Sequence, residues 1–352
     1  MKQLRNNVIR AGLDALYFTG AHRVLRPILA GVGTIFMLHH VRPARDDMFQ
    51  PNRHLEITPD FLREVLAHVR ALGVDLVSMD EAHRRMRERD FARRFACFTF
   101  DDGYRDNRDH ALPVMREYNA PFTVYVANDF AEGNGRLWWV ALERVIGNAT
   151  AIEIVRDGAV LRLDAGTPAA RQQAFNQVHD WLRTLPNDSE VQHAVSDLCA
   201  RHGVDDAAIA RELCMSWTEL RPFAADPLVT IGAHTVSHCN LARDSEADAL
   251  REMRVSRERI ETELQRPALH FAYPYGDKTA AAAREFAMAR ELGFATAVTT
   301  RPGMVFAENA EHLTALPRIS LNGNYQTTRF LSVLTSGAAT AMWNGFRRVD
   351  AA

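Results

Sequence analysis

Short apolar runs rich in strand-forming residues alternate with longer stretches of helical periodicity along most of this chain. Residues 34–38 form such a run, which ends at His39 and His40. Thr58-Pro59 then opens a helix, with Thr as N-cap and Pro at the first helical position. Its apolar positions Phe61, Leu62, Val65, Leu66, Val69 and Leu72 keep helical spacing, and Gly73 stops it. Residues 95–100 predict the next strand, with Asp101-Asp102-Gly103 directly at its end. Further strands are predicted at 121–127, at 228–232 leading into His234, at 269–272 and at 294–300. Helices at 245–265 and 279–292 separate the last three. Such alternation argues for a parallel α/β sheet, either open or closed into a barrel, with chemistry gathered at the strand ends.

Between 138 and 214 the pattern changes. Residues 152–163 read as a hairpin around Asp157-Gly158, and helical stretches follow near 169–184, 189–201 and 206–214. Ser216-Trp217-Thr218-Glu219 has capping-box spacing and resumes the earlier alternation. The chain thus divides into a helical lead-in (1–33), an α/β domain in two pieces (34–137 and 215–325), an inserted, mainly helical subdomain (138–214) and a C-terminal tail (326–352). In the lead-in, Leu4, Val8, Leu13, Leu16 and Tyr17 predict one apolar helix face. That face is expected to pack on its own domain rather than on a membrane.

With 352 residues, 47% of them hydrophobic, the chain can bury a large core. Its net charge of −2 and the lack of a Lys/Arg cluster argue against nucleic acid as a partner. The four cysteines, Cys97, Cys199, Cys214 and Cys239, include no CxxC pair, so buried small hydrophobes are expected rather than disulfides or a zinc finger. Lys2 and Arg5 are followed by a mixed segment, not by the apolar core of a secretory signal. The most apolar stretch, 24–38, contains Arg26, Pro27, Gly31 and Gly33 and is too short to span a bilayer. A cytoplasmic protein is expected, with at most peripheral contact at the inner face of the membrane.

Two adjacent carboxylates where a buried strand emerges repel each other and resist desolvation. A bound cation removes that cost, although an Asp-Asp-Gly turn facing solvent would also avoid it. Consecutive side chains point in different directions, so one carboxylate can ligate a metal while the other faces a water. His234-Thr235-Val236-Ser237-His238 places two imidazoles four residues apart at the end of another strand, expected on one face of a helical turn and within reach of one divalent ion. Together they make a set with open coordination positions, as catalysis requires and a structural zinc site does not. Phe271-Ala272-Tyr273-Pro274-Tyr275-Gly276 reads either as a packed aromatic turn or as a rigid wall with a backbone amide free to donate.

TFDDG at 99–103, HTVSH at 234–238 and YPYG at 273–276, in that order, resemble the polysaccharide deacetylase family of carbohydrate esterases. The resemblance covers roughly residues 34–130 and 216–320. It implies a distorted (β/α) barrel that hydrolyses an acetamide on an N-acetylated glycan with the help of a metal. By that resemblance Asp101 is the catalytic base, Asp102, His234 and His238 bind the metal, and the backbone of Tyr275 helps hold the oxyanion. Zinc is the default metal, and cobalt, nickel or iron also suits two histidines and a carboxylate.

Two features depart from the family pattern. Many members carry an arginine at the position of Ala272, and a catalytic histidine in a Leu-x-His motif near the C-terminal end of the domain. Here Leu38-His39-His40 resembles the Tyr-His segment of the poly-N-acetylglucosamine-type members. His40 is therefore the expected general acid, with His39 as the alternative and a buried structural histidine as the third reading. Arg318, in Leu-Pro-Arg-Ile, is expected to be an ordinary surface residue, with orientation of Asp101 as its alternative role. Two other functions remain: hydrolysis of a different amide on the same scaffold, or glycan binding without turnover. The complete set of base and ligands argues against the last.

Overall fold

Alternation of side chains along seven strands sets the architecture. The computed structural model describes residues 2–156 and 158–351. Its barrel strands are β1 (Gly33–Leu38), β2 (Phe95–Phe100), β3 (Phe122–Val126), β4 (Val229–Ala233), β5 (His270–Ala272), β6 (Thr296–Pro302) and β7 (Leu316–Ser320). They follow one another around the sheet in chain order, every pair is parallel, and β1 pairs with both β7 and β2, which closes the ring. Closure leaves no barrel strand edge to protect.

The two faces of each strand go to two different cores. Ile35, Phe95, Cys97, Tyr125, Ala272, Val298 and Leu316 fill the interior. Their neighbours Phe36, Phe98, Phe122, Ile231, Phe271 and Ile319 pack outward against the surrounding helices. One of these helices, Pro59–Ala71, starts as expected: Thr58 Oγ1 accepts the Phe61 N–H at 3.1 Å. Its buried face is Phe61, Leu62, Val65, Leu66 and Val69. All four cysteines are free and buried.

The predicted strands appear within two residues of their expected ends, and β7 is an addition. Leu-Pro-Arg-Ile has the inside–outside alternation of a barrel strand, but an arginine on the inside masks it. The helix expected from 279 begins at Ala283. Residues 138–214 form a hairpin (Ala151–Arg156 and Ala159–Asp164) and helices with a core of their own. Asp157 of the predicted turn lies outside the described residues.

The lead-in is two helices, Lys2–Phe18 and Ala21–Leu29, and the segment expected to be a tail is also helical, at Thr328–Leu334 and Ala338–Trp343. Leu13 packs with Phe330 and Val333, joined by Leu16 and Tyr17. Val8, assigned to the same face, points instead to solvent at 63% exposure, and the Leu4 side chain lies outside the described ones. No helix of the described residues is long and apolar enough to cross a membrane.

Gly232 in β4 marks a tight approach inside the barrel. A Cβ there would lie 2.6 Å from the Tyr125 ring and 2.8 Å from the His270 carbonyl oxygen. Gly232→Ala should cost about 1–3 kcal/mol by overpacking, read as a lower urea midpoint at unchanged slope.

Candidate active site

The site grows from the C-terminal end of β2. Met37 and Thr99 pair in register on neighbouring strands, as do Leu38 and Phe100, and the Asp101 N–H donates to the Leu38 carbonyl at 3.0 Å. One residue further, the inward positions of these strands are His39 and Asp101, whose Nε2 and Oδ2 lie 4.0 Å apart. Asp101 is only 2% exposed. Its charge is balanced by Arg318, which projects inward from β7. Nη1 and Nη2 donate to the two carboxylate oxygens, each at 2.7 Å. The same guanidinium donates to Thr99 Oγ1 at 3.1 Å and, from Nε, to the Thr299 carbonyl at 2.8 Å. Burial pushes the Asp101 carboxyl up, but the paired guanidinium outweighs it and holds the group below the usual carboxylate value.

Asp102 goes the other way. Its φ of 73°, followed by 68° at Gly103, turns the chain sharply after the strand. Asp102 Oδ1 thereby sits 3.5 Å from His234 Nε2 and 3.3 Å from His238 Nε2. His234 Nδ1 donates to the Ala272 carbonyl at 2.7 Å, so its Nε2 presents a bare lone pair to the carboxylate. Both Asp102 Oδ1 and His234 Nε2 are buried without a hydrogen-bond partner. Ligand atoms of Asp102, His234 and His238 all fall within 4.8 Å of one another. Acceptors converging on one buried point fit a divalent cation, and the carbonyl behind His234 fixes the tautomer that a ligand needs.

A family model described as polysaccharide deacetylase matches residues 88–297. The chain belongs to the polysaccharide deacetylase family. Solved structures of similar fold include the Streptococcus pyogenes deacetylase PplD in complex with acetate, 18% identical with a TM-score of 0.55 over 83% of this chain and 92% of that one. Another is IcaB from Ammonifex degensii, 16% identical with a TM-score of 0.50 over 87% of this chain and 97% of that one. No curated protein matches the sequence. The protein is therefore a carbohydrate deacetylase on a closed (β/α) barrel, acting on N-acetylated glycans.

In this deacetylase the two adjacent histidines part company. His40 is buried and turned away from the inward face. Its Nδ1 meets Asp106 Oδ2 at 2.6 Å and its ring stacks on Tyr104, with centroids 3.6 Å apart. Strand periodicity gives the reason, since one residue of offset reverses the face. Asn107 donates to the His39 carbonyl at 2.7 Å and fixes that segment to the loop after β2. Arg318 also departs from expectation: at 1% exposure it is among the largest fully buried side chains.

The remaining site loops are held by residues that carry no motif. Glu252 accepts the N–H groups of Val236 and Ser237 at 2.9 and 3.0 Å. These two residues lie between the histidines, which stand not on the expected helical turn but in an irregular turn where Thr235 and His238 have φ of 64° and 59°. Tyr275 also has a positive φ, 60°. Its hydroxyl accepts from Trp138 Nε1 at 3.0 Å, and Arg183 lies over its ring. The ring of Trp139 packs against His238 at 5.1 Å. Trp138, Trp139 and Arg183 all belong to the inserted subdomain, which is seated on the site loops.

Arg318→Met should leave a buried, uncompensated carboxylate and cost about 3–5 kcal/mol, measured by urea unfolding. The folded-state carboxyl of Asp101 is depressed, so the pair's stabilisation is complete above the unfolded value of about 3.9. It is lost as pH falls through the lower folded value. Glu252→Gln should weaken metal binding by about 10- to 100-fold with little change in thermal midpoint, measured by chelator competition.

Proposed function

We propose that this deacetylase removes N-acetyl groups from N-acetylglucosamine-containing oligo- or polysaccharides by metal-assisted hydrolysis. For an enzyme working in the cytoplasm, the substrate is a precursor, including a lipid-linked one, rather than finished wall polymer. The observation that carries the reading is a buried carboxylate gripped by Arg318 beside the converging acceptors of Asp102, His234 and His238. Those three residues would hold a divalent cation, zinc by default, which would supply Lewis acidity toward the acetyl carbonyl and a water.

The chain's own residues supply the remaining steps. Asp101 is the general base: its oxygens are fixed by the guanidinium, and it stays ionised well into the acid range. His39 takes the acid role first assigned to His40, because His39 is the histidine whose Nε2 faces Asp101. Burial pulls its pKa below the ordinary 6.5, against the pull of Asp101 and Asp102. It therefore rests neutral, receives the proton that Asp101 collects and delivers it to the leaving nitrogen. Among the described residues the Tyr275 amide is engaged in none of the backbone hydrogen bonds, which suits it to hold the developing oxyanion.

Acetate release from chitooligosaccharides, with and without chelator, tests the reading. The parent should release acetate only when metal-loaded, and His39→Ala should lose about 10²–10⁴-fold in kcat while His40→Ala keeps most of it. A loss confined to His40→Ala would return the acid role to His40. Absence of metal-dependent acetate release from any acetylated glycan would sink the reading, and ring-opened product or ammonia from a small amide would replace it.

A further inference from the structure

Twelve large hydrophobic side chains are exposed among the described residues, and seven of them lie on or beside three terminal helices. On Lys2–Phe18, Val8 and Phe18 are 63% and 72% exposed. Ala11, Gly12 and Ala15 are exposed between them, so helical spacing makes one apolar stripe. Ile9, Leu13, Leu16 and Tyr17 face the opposite way, into the contact with Thr328–Leu334. This helix is thus apolar on its outer face as well as its inner one, whereas a helix facing only water is polar outside.

The neighbouring helices continue the stripe. Val24 and Ile28, one turn apart on Ala21–Leu29, are 77% and 62% exposed. Met342, Trp343 and Phe346, at the end of Ala338–Trp343, are 58%, 60% and 65% exposed. These two helices touch. A Cβ on Gly337 would come within 1.9 Å of the Leu29 carbonyl oxygen, so only glycine permits the approach.

Charge identifies the occupant. Residues 1–30 and 326–352 hold eight Lys or Arg against two Asp, in a chain whose net charge is −2. Both acids are already neutralised, Asp14 by Arg329 at 2.9 Å and Asp350 by Lys278 at 2.8 Å. Of the bases, Arg348 pairs with Glu308, while Arg10 and Arg26 contact only carbonyl oxygens. Arg23 and Arg347 are exposed and make no ion pair among the described residues; Arg23 precedes the exposed Val24 on Ala21–Leu29, and Arg347 follows the exposed Phe346 just beyond Ala338–Trp343.

We propose that this face is an interfacial docking surface for an anionic phospholipid bilayer, with the apolar stripe entering the acyl boundary and the arginines meeting headgroup phosphates. Apolar area combined with unpaired positive charge is what such a surface rewards. The inference stands on the terminal helices and does not depend on the chemistry of the deacetylase site.

Co-sedimentation of the metal-loaded full chain with vesicles of phosphatidylcholine, alone or mixed with phosphatidylglycerol, is the test. The protein should pellet with the anionic vesicles, less so as salt is raised, and hardly at all with phosphatidylcholine alone. The double variants Val24→Glu/Ile28→Glu and Arg23→Glu/Arg347→Glu should each lose about tenfold or more in affinity. Their thermal midpoints and acetate release from a water-soluble chitooligosaccharide should be unchanged, which separates lost docking from lost folding. Anionic vesicles should shift the emission of the parent to the blue, and Trp343→Phe should remove that shift. Failure to pellet, or pelleting indifferent to both double variants, overturns the proposal. A dimer in sedimentation equilibrium that Val24→Glu/Ile28→Glu splits would instead assign the face to a second copy of the chain.

Discussion

Two carboxylates buried side by side at the end of one strand must each find positive charge, and the site follows from how that is done. Asp101 and Asp102 are both 2% exposed. Left alone, each would be neutralised by protonation. Asp101 is given a guanidinium through two hydrogen bonds of 2.7 Å. Asp102 is given two imidazoles whose free nitrogens cannot all donate to it, which leaves a position that a cation completes. A fixed positive partner suits Asp101 to the proposed role of base, and an exchangeable one suits Asp102 to that of ligand. The proposed division of labour between neighbouring residues is therefore electrostatic, imposed by a sharp turn at Asp102.

The barrel makes this division possible because its inward layer changes from apolar to polar at one level. Cys97, Tyr125 and Leu316 give way to Thr99, Arg318, Asp101 and His39. Ala272 is buried in the same interior, and its carbonyl orients His234. Where many relatives are expected to carry an arginine, this chain has that small side chain and draws its guanidinium from β7. The inserted subdomain then braces what the barrel leaves loose. Cys214 bridges to Tyr104 after β2, Asp188 accepts the Asn240 N–H after β4, and Trp138 and Arg183 hold Tyr275 after β5. Three separate loops are thus fixed by one subdomain.

Legibility in the sequence followed the strength of local signals. Apolar runs and caps marked six of the seven barrel strands and the main helices, because each is determined by its own residues. The seventh was hidden by Arg318, whose burial depends on a partner more than two hundred residues away. TFDDG and HTVSH were readable because the acidic pair and the spaced histidines are unusual where strands end. The choice between His39 and His40 could have been made by counting the strand period from Ile35 and Met37, both of which face inward. Glu252, Trp138 and Trp139 carried no signal, since their roles come from loops that tertiary packing brings to them. Val8 illustrates the converse. Periodicity allowed it on the buried face, and the angular position of the partner helix left it outside.

The central claim is that Asp101 and Asp102 do different work, one moving a proton and the other holding a metal. Zinc titration of Asp101→Asn and Asp102→Asn, each paired with acetate release from a chitooligosaccharide, tests it most directly. The account predicts that Asp101→Asn binds one equivalent with near-parental affinity yet releases no acetate, whereas Asp102→Asn loses affinity and activity together. Retained turnover in Asp101→Asn, or equal loss of zinc from both variants, would contradict it.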